Sequence, residues 1–324
     1  MSENLRERLA ELPGNLSSHV ELCVIAITVG VLISVPLAVA LTRRPRLRYP
    51  VLTIVGVFQT IPSLALLALM VPVIVYTGGL LVGVSAFGFY PAVIALTMYS
   101  MLPIVRNTVA GILGVDDDLR EAARGMGMTD RQLLWKVELP LAAPVILAGI
   151  RTAMVWVVGT ATLATPVGQR CLGNYIFTGL QTRNWLMIVF GVVAAAGLAI
   201  ILDLFMAGLE RATTKRRPRM AWAIGSGLAV LLLAAVLAPR IASVATDRPG
   251  PPPALATDEP DTRQVSSIRI GAKTFTEQYI LAEALRTRLE SAGLETTLAD
   301  SLGSTVVFDA LKASEIDVYV DYSG

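Results

Sequence analysis

The chain has no Asp, Glu, Lys or Arg anywhere from Tyr49 to Val105. A bilayer core about 30 Å thick is crossed by about 20 apolar residues in a helix, so this stretch is long enough for two spans and a short connection. In lipid the backbone must satisfy its own hydrogen bonds, which favours helices. A soluble core would need charged helices around it, but only 16% of the residues are charged and 54% are hydrophobic. The stretch therefore predicts a polytopic membrane protein.

Similar apolar segments recur and predict an all-α membrane domain of about six helices. The predicted spans lie at about 19–41, 51–75, 89–112, 142–163, 185–208 and 221–238. Acidic and basic residues are mixed in the first eighteen positions, which is not typical of a cleaved signal. The expected organisation is therefore an extracytoplasmic segment (1–18), a transmembrane domain (19–240), a linker (241–266) and a soluble lobe (267–324).

Basic residues are concentrated in alternate connections. The connections after the first, third and fifth spans hold fourteen of them: Arg43, Arg44, Arg46, Arg48, Arg106, Arg120, Arg124, Arg131, Lys136, Arg211, Lys215, Arg216, Arg217 and Arg219. The short segments of the opposite side hold four: Arg6, Arg8, Arg170 and Arg183. Because Lys and Arg near span ends mark the cytoplasmic side, we expect the N-terminus and everything after the sixth span outside. This sorting indicates topology and not nucleic-acid binding.

Several predicted spans contain helix breakers, namely Pro36, Pro62, Pro72, Gly159 and Pro166. Broken helices at membrane depth are tolerated where the backbone lines a cavity or packs inside protein, although each breaker alone is equally consistent with an ordinary kink. Arg151 and Asp203 also fall within spans, where ionisable groups face the bundle interior or extend to the interface. They are expected to pair, to line the path or to lie near the cytoplasmic surface. Candidates for a translocation path are Gln59, Pro62 and Arg151.

Few residues of this chain suit metal binding or nucleophilic catalysis. His19 is the one histidine, and we expect it to be an interfacial polar residue at the start of the first span. The two cysteines, Cys23 and Cys171, have no metal-ligand or disulfide-framework spacing. The sequence therefore predicts no catalytic residues, no metal site and no cofactor in this chain.

The character of the sequence changes after the sixth span. Residues 245–264 are rich in Pro and charge without an apolar period, which predicts a linker. Beyond it, a strand at 267–271, a helix at 277–292, a strand at 294–298, a helix at 304–313 and a strand at 316–320 are predicted. Alternating strands and helices indicate a parallel sheet. These residues are marginal for an independent core, so we expect an incomplete α/β lobe.

The connection between the third and fourth spans contains one extended motif. Glu121, Ala122 and Ala123 are followed after three residues by Gly127, and nine residues later by Val137-Glu-Leu139-Pro140. Gly127 suits a sharp turn, Thr129 suits the cap of a second helix, and Pro140 suits a break before the fourth span. The stretch resembles the E-A-A loop of binding-protein-dependent importer permeases, except that Val137 stands where isoleucine is usual.

The resemblance implies a function for this loop and partners for the chain. In the family, the loop docks into a cytoplasmic ATP-binding-cassette subunit and passes nucleotide-driven motion to the spans. The resemblance implies that small Ala122 and Ala123 let the ATPase approach closely. It also implies that Leu139 and Pro140 belong, with the rest of the motif, to the residues that couple the chain to the ATPase. We expect a homodimer of permease copies in a prokaryotic cytoplasmic membrane, with hydrolysis by the partner because a G-x-x-x-x-G-K-[ST] nucleotide loop is absent from the sequence.

The flanking sequences narrow the family. Gln59-Thr-Ile-Pro-Ser63, Leu102-Pro-Ile-Val-Arg-Asn-Thr108, Ala148-Gly-Ile-Arg-Thr-Ala153 and Gly159-Thr-Ala-Thr-Leu-Ala164 resemble permeases for quaternary-ammonium osmoprotectants. The segments Ile270–Ile280, Leu302–Thr305 and Asp317–Gly324 resemble the opening of the matching periplasmic-type binding proteins. The resemblance implies a small zwitterionic or cationic solute such as glycine betaine, choline or carnitine.

The partial lobe supplies four candidate solute-binding residues. Thr276 and Gln278 are predicted at a helix N-terminus, where backbone N–H groups favour a carboxylate. Asp321 and Tyr322 follow the third strand, at the carboxyl edge of the sheet where ligands usually bind. A methylammonium head is held by aromatic faces and a nearby carboxylate. The alternative for each residue is a cap or a turn.

Other functions are compatible with parts of this sequence. An ergothioneine importer of the same family is one. An ATP-independent secondary transporter is another, although it predicts intramembrane acidic residues in repeated halves, and Asp203 is the one acid in the predicted spans apart from Glu21 near the start of the first. A ligand-sensing receptor would need a cytoplasmic effector domain, and the longest predicted cytoplasmic segment is the E-A-A loop.

Overall fold

The computed structural model describes residues 3–77, 85–246, 267–273, 275–302 and 304–321. Within these ranges, five helical stretches are long and apolar enough to cross a membrane: Glu11–Arg43, Phe89–Leu113, Asp130–Val167, Trp185–Thr214 and Pro218–Leu237. A bent helix pair between the first two of them makes a possible sixth span. The all-α polytopic membrane domain of about six helices is confirmed.

The helices of the membrane domain follow one another with short connections. They are α1 (Glu3–Arg43), α2 (Pro45–Thr60), α3 (Ser63–Tyr76), α4 (Phe89–Leu113), α5 (Asp117–Gly125), α6 (Asp130–Leu133), α7 (Leu139–Ala161), α8 (Gly173–Gln181), α9 (Trp185–Thr214) and α10 (Pro218–Thr246). A π-helix (Leu134–Glu138) joins α6 to α7, and a 3-10 helix (Thr162–Val167) follows α7. The short helix α8 had no counterpart among the sequence predictions.

The predicted second span is not one straight helix. Helices α2 and α3 meet at 102° across Ile61 and Pro62. Pro62 has no N–H for the helix ladder and disfavours helical geometry at the residue before it, and Ile61 has an extended ψ of 129°. Pro62 and Pro166, in the 3-10 helix, therefore interrupt helices as predicted, whereas Pro36, Pro72 and Gly159 lie inside continuous helices.

The first helix begins well before the predicted span. Leucines at positions 5, 9, 12 and 16 have helical spacing, and α1 runs from Glu3 through them to Arg43. His19, predicted to be interfacial, is fully buried instead. Its Nδ1 accepts the N–H of Leu172 at 3.4 Å, so the proton is on Nε2, which lies 3.2 Å from the carbonyl of Val158. His19 thus joins α1 to the end of α7 and the start of α8.

Helix α4 is the centre of the bundle. It packs against α1, α2, α3 and α7. At its crossing with α7 the backbones approach so closely that a Cβ on Gly149 would lie 2.6 Å from the Cβ of Asn107 and 2.8 Å from the carbonyl of Pro103. Small residues permit such approaches between membrane helices. Helix α10 lies at the periphery, against α1 and α9, and its described end at Thr246 falls inside the predicted linker. The rest of that linker, 247–266, lies outside the described residues.

The C-terminal lobe has the predicted parallel arrangement. Its elements are β1 (Ile268–Lys273), α11 (Thr276–Ser291), β2 (Thr296–Leu302), α12 (Ser304–Lys312) and β3 (Val318–Tyr319). The strand order is β2-β1-β3, and both pairings are parallel. Helix α11 buries Ala282 against Ile270 and Ala272 on one face of β1. The second strand lies two residues later than predicted, whereas the alternation of strands and helices is confirmed.

Candidate functional site

The E-A-A motif lies on helix α5, at the end of α4. The Asp116 carboxylate caps the helix by accepting the N–H of Asp118 at 3.0 Å. Acidic residues in the first turn and Arg124 in the last turn complement the helix dipole. These local signals make a helix of nine residues that carries Glu121, Ala122 and Ala123.

A tight turn follows α5, as predicted. Gly127 has φ +79°, a left-handed conformation in which an L side chain is strained. The N–H of Met128 reaches back to the carbonyl of Ala123 at 3.2 Å, which closes the end of the helix. Thr129 then caps α6 through a reciprocal pair of hydrogen bonds with Gln132. The predictions of a turn at Gly127 and a cap at Thr129 are confirmed.

The predicted break before the fourth span is wrong. The chain continues helically from α6 through the π-helix into α7, and Pro140 is the second residue of α7. Pro140 lacks the N–H that an uninterrupted α-helix would use. The wider turn with its bond from the Leu139 N–H to the Leu134 carbonyl lies directly before it. Val137 and Leu139 are half-buried at this junction, and Pro140 is exposed.

The exposed surface of this loop is partly apolar. Glu121, Ala122 and Gly127 are exposed. Met126 and Trp135 are also largely exposed, at 71% and 63%; sequence reasoning missed them, although large apolar residues in a charged loop are an available signal. We name Ala122, Met126, Gly127 and Trp135 together the elbow surface. Chemically, it suits close contact with another protein.

Ala123 does not belong to the elbow surface. Its side chain is buried against the bundle, with 2% of its area exposed. Adjacent residues of an α-helix point about 100° apart, so only Ala122 of the predicted pair faces outward. The prediction that Ala123 lets a partner approach is corrected, because its side chain is covered by residues of this chain.

The path candidates Gln59 and Pro62 lie at the bend between α2 and α3. Gln59 donates from Nε2 to the carbonyl of Tyr99 at 3.2 Å, and the Tyr99 hydroxyl donates to the carbonyl of Ile61. Helix α4 therefore satisfies the backbone group that the bend releases. Both candidates are explained by holding the bend, and a role in solute passage stays a prediction.

The third path candidate, Arg151, lies in a different interface, between α7 and α9. It donates to both Asp203 oxygens, at 2.6 and 2.8 Å, and to Glu210 at 3.2 Å. The predicted pairing with Asp203 is confirmed, and Glu210 is an addition that sequence reasoning missed. These three side chains line a cavity of about 350 Å³ with Thr152 and Trp156. The cluster carries one net negative charge near the middle of α7.

The lobe candidates are only partly described. Asp321 lies against the Lys273 ammonium and accepts the Tyr319 hydroxyl at 3.0 Å. The Lys273 ammonium also lies 5.4 Å from the centre of the Tyr319 ring. The Asp321 hydrogen bond raises the pKa of the Tyr319 hydroxyl above its usual value. A cationic solute near Asp321 would therefore share that carboxylate with Lys273.

The other three lobe candidates lie at the start of α11 and beyond β3. Gln278 is buried, and neither atom of its amide has a hydrogen-bond partner among the described residues. Thr276 begins α11, but its side chain lies outside the described part of the structure, as does all of Tyr322. The structure thus brings Asp321 to Lys273 and Tyr319, and a joint solute site of the four candidates stays a prediction.

The lobe contacts the end of the bundle opposite the elbow surface. The Glu315 carboxylate accepts the N–H of Ala86 at 2.8 Å and the hydroxyl of Ser85 at 3.1 Å. Beside it, Leu302 and Ile316 of the lobe pack in one apolar cluster with Phe87. Ser85 and Ala86 precede the first residue of α4, whereas α5 follows the last residue of α4. The lobe and the elbow surface are therefore on opposite sides of the membrane domain.

Crosslinking checks the contact between the lobe and the bundle. In a Ser85→Cys/Glu315→Cys variant, a short bifunctional thiol reagent is expected to join the lobe to the membrane domain at high yield. The native Cys23 and Cys171 are both buried and give little background. The matched control is Ser85→Cys/Glu283→Cys, because Glu283 is an exposed residue of α11. Equal yields in the two variants would contradict the contact.

These features define a class of protein. A polytopic helical bundle with a capped helix–turn–helix at one end and a partial α/β lobe at the other is the arrangement of the membrane-spanning subunit of a solute importer. The chain belongs to the family described as binding-protein-dependent transport system inner membrane component, whose model matches residues 27–216. Residues 266–324 match part of a second family, the substrate binding domain of ABC-type glycine betaine transport system. It is a multi-pass membrane protein, a transport subunit that works with an ATPase partner.

Similar proteins match about three fifths of this chain and most of their own length. The choline transport system permease protein OpuBB of Bacillus subtilis is 45% identical over 196 residues, which are 60% of this chain and 85% of that protein. The glycine betaine/carnitine/choline transport system permease protein OpuCB of the same species is 43% identical over 206 residues, 64% of this chain and 90% of that protein. The inward-facing MetNI methionine ABC transporter superposes with a TM-score of 0.56 at 26% identity, covering 66% of this chain and 99% of that one.

Proposed function

We propose that this chain is the permease of an ATP-driven importer for quaternary-ammonium osmoprotectants such as glycine betaine, choline and carnitine. Two copies form the pathway in a prokaryotic cytoplasmic membrane, and a separate cytoplasmic ATPase docks on each elbow surface. The lobe lies on the outer side. The chain itself holds no cofactor in this proposal, because nucleotide is bound by the partner.

The single observation that carries the coupling role is the exposure of the elbow surface. At this end of the bundle three side chains are exposed: Ala122 on α5, Met126 directly after it, and Trp135 in the π-helix. Exposed apolar side chains rimmed by charge mark sites of protein contact. The substrate class is supported by the named substrates of the two similar permeases and by the second family match.

Site-directed crosslinking tests the docking surface. Trp135→Cys is expected to crosslink to the ATPase subunit in membranes, and Tyr76→Cys is not. Tyr76 is the matched control because it is 88% exposed but lies at the end of α3, which packs on the 3-10 helix at the opposite side of the bundle. If Trp135→Cys fails to reach any ATPase, or if both positions crosslink equally, the proposed docking is wrong.

Uptake into proteoliposomes tests the reaction and the substrate class. The chain with its copurified ATPase is expected to accumulate choline or glycine betaine only when ATP is supplied on the ATPase side. Ergothioneine provides the comparison that separates the alternative importer of the same family. Uptake that persists without any ATPase would instead identify a secondary transporter, and no uptake of any trimethylammonium compound would reject the substrate class.

A further inference from the structure

One buried carboxylate stands where three helices of the cytoplasmic end converge. Glu138 is the last residue of the π-helix, and 1% of its side chain is exposed. One oxygen accepts from Arg120 Nε at 3.2 Å and from Arg43 Nη1 at 3.3 Å, and the other accepts from Arg43 Nη2. A charge without solvent needs such partners. Glu138 thus joins the end of α1, helix α5 and the start of α7.

Arg120 extends this connection to a fourth helix. Its guanidinium also donates to the carbonyl of Ile112 at 2.5 Å, near the end of α4, and to Asp117 at 2.6 Å within α5. The planar guanidinium holds these groups in fixed directions. A displacement of α5 therefore acts on the ends of α1, α4 and α7 through the side chains of Arg120 and Glu138.

Helix α5 has little other attachment to the bundle. The structure describes all of α5, and within it Ala123 is the one fully buried residue while Arg120 is half-buried. The remaining residues face outward, which suits a helix that another protein holds. Directly after Glu138, the π-helix gives way to α7, and such wide turns are frequent at functional sites.

We propose that Arg120 and Glu138 form the link that transmits movement of α5 to the membrane helices. They are positioning residues: neither is proposed to touch solute or nucleotide. The inference rests on the proposed function, since it assumes that an ATPase moves α5. It adds which side chains carry that movement into the bundle.

The primary test variant is Arg120→Gln. It severs α5 from the carboxylate, whereas Glu138 keeps Arg43 as its counter-ion, so the bundle retains a compensated charge. We expect the ATPase to copurify at the wild-type ratio. The number of solute molecules taken up per ATP hydrolysed is expected to fall at least about fivefold, the lower range of coupling effects between sites. A purely structural role would instead lower protein yield and leave this ratio unchanged.

Two further variants sharpen the test. Glu138→Gln is expected to lower the same ratio, and the Arg120→Gln/Glu138→Gln double variant is expected to be no worse than the stronger single one, because both changes break one link. The matched control is Glu283→Gln, an ion-paired carboxylate on the lobe that lies 2.6 Å from Arg286. It is expected to leave uptake per ATP at the wild-type value.

The outcomes separate this inference from the proposed function. A wild-type ratio in Arg120→Gln, or additive losses in the double variant, would overturn the link while leaving the importer intact. Failure of the wild-type chain to bind any ATPase would overturn the proposed function itself. Loss of the Glu138→Gln protein from the membrane would still leave Arg120→Gln to decide.

Discussion

Gly127→Val is expected to abolish most of the ATPase retention of this permease, while Gly127→Asn retains it. Gly127 has φ +79°, and among the described residues nothing lies within 4 Å of where its Cβ would stand. The effect therefore comes from the backbone and not from crowding. Left-handed geometry costs an L-residue about 1–2 kcal/mol, more when it is β-branched, and asparagine tolerates it. A loss of about tenfold in retained ATPase corresponds to about 1.4 kcal/mol.

The measurement is the ratio of ATPase to permease after affinity purification from membranes. Gly293→Val is the matched control, because Gly293 has φ +83° and equally open surroundings at the end of α11 in the lobe. It applies the same strain in the lobe, at the opposite end of the membrane domain, and is expected to leave the ratio unchanged. If Gly127→Asn and Gly127→Val behave alike, the turn does not act through its backbone conformation.

Arg151→Leu is expected to be the most destabilising single substitution in the membrane core. It removes the partner of both Asp203 and Glu210, and an unpaired acid near the centre of a helix costs about 2.5–3.5 kcal/mol on insertion scales. Asp203→Leu is expected to be milder, because Arg151 keeps Glu210 at 3.2 Å. The double variant Arg151→Leu/Asp203→Leu should recover much of the loss, since one of the two orphaned charges is removed.

These variants are ranked by their thermal stability in detergent. The measurement is the fraction of monodisperse protein that remains after heating. Arg211→Leu is the control, because Arg211 is an exposed cation in the last turn of the same helix, α9. Equal losses in Arg151→Leu and Asp203→Leu would show that Glu210 contributes nothing. A double variant as unstable as Arg151→Leu would show that the pairing with Asp203 is not the source of stability.

The spans and the elbow could be predicted because their signals are long or local. An uncharged apolar run from Tyr49 to Val105 is compatible with few structures other than membrane helices. Gly127 and Thr129 determine a turn and a helix cap through residues adjacent in sequence. The bend at Pro62 was only partly predictable: hydropathy is continuous across Ile61, so the run was interpreted as one span. Pro62 interrupts the helix, and the Tyr99 hydroxyl, which comes from another helix, satisfies the Ile61 carbonyl that the interruption leaves free.

Long-range pairings account for what sequence reasoning missed. Glu138 lies between Val137 and Leu139, where the motif specifies no residue type, and its ion pair depends on Arg43, which is 95 residues away in the chain. Helix α8 is short and follows a 3-10 turn, so it has no long apolar period of its own. The burial of Ala123 depends on which side of α5 meets the bundle, and composition alone does not determine that.

The hydrogen bonds from the Ser85 hydroxyl and the Ala86 N–H to the Glu315 carboxylate join two parts of a single polypeptide. Association of this kind is unimolecular, so its equilibrium does not vary with how many copies a cell makes. A separate, freely diffusing receptor would dissociate from the transporter as the receptor became scarce, whereas this lobe is attached to the membrane domain in fixed stoichiometry. A soluble receptor would then have to compete with an attached lobe that is always present. Low expression of the transporter would not weaken the contact between the lobe and the membrane domain.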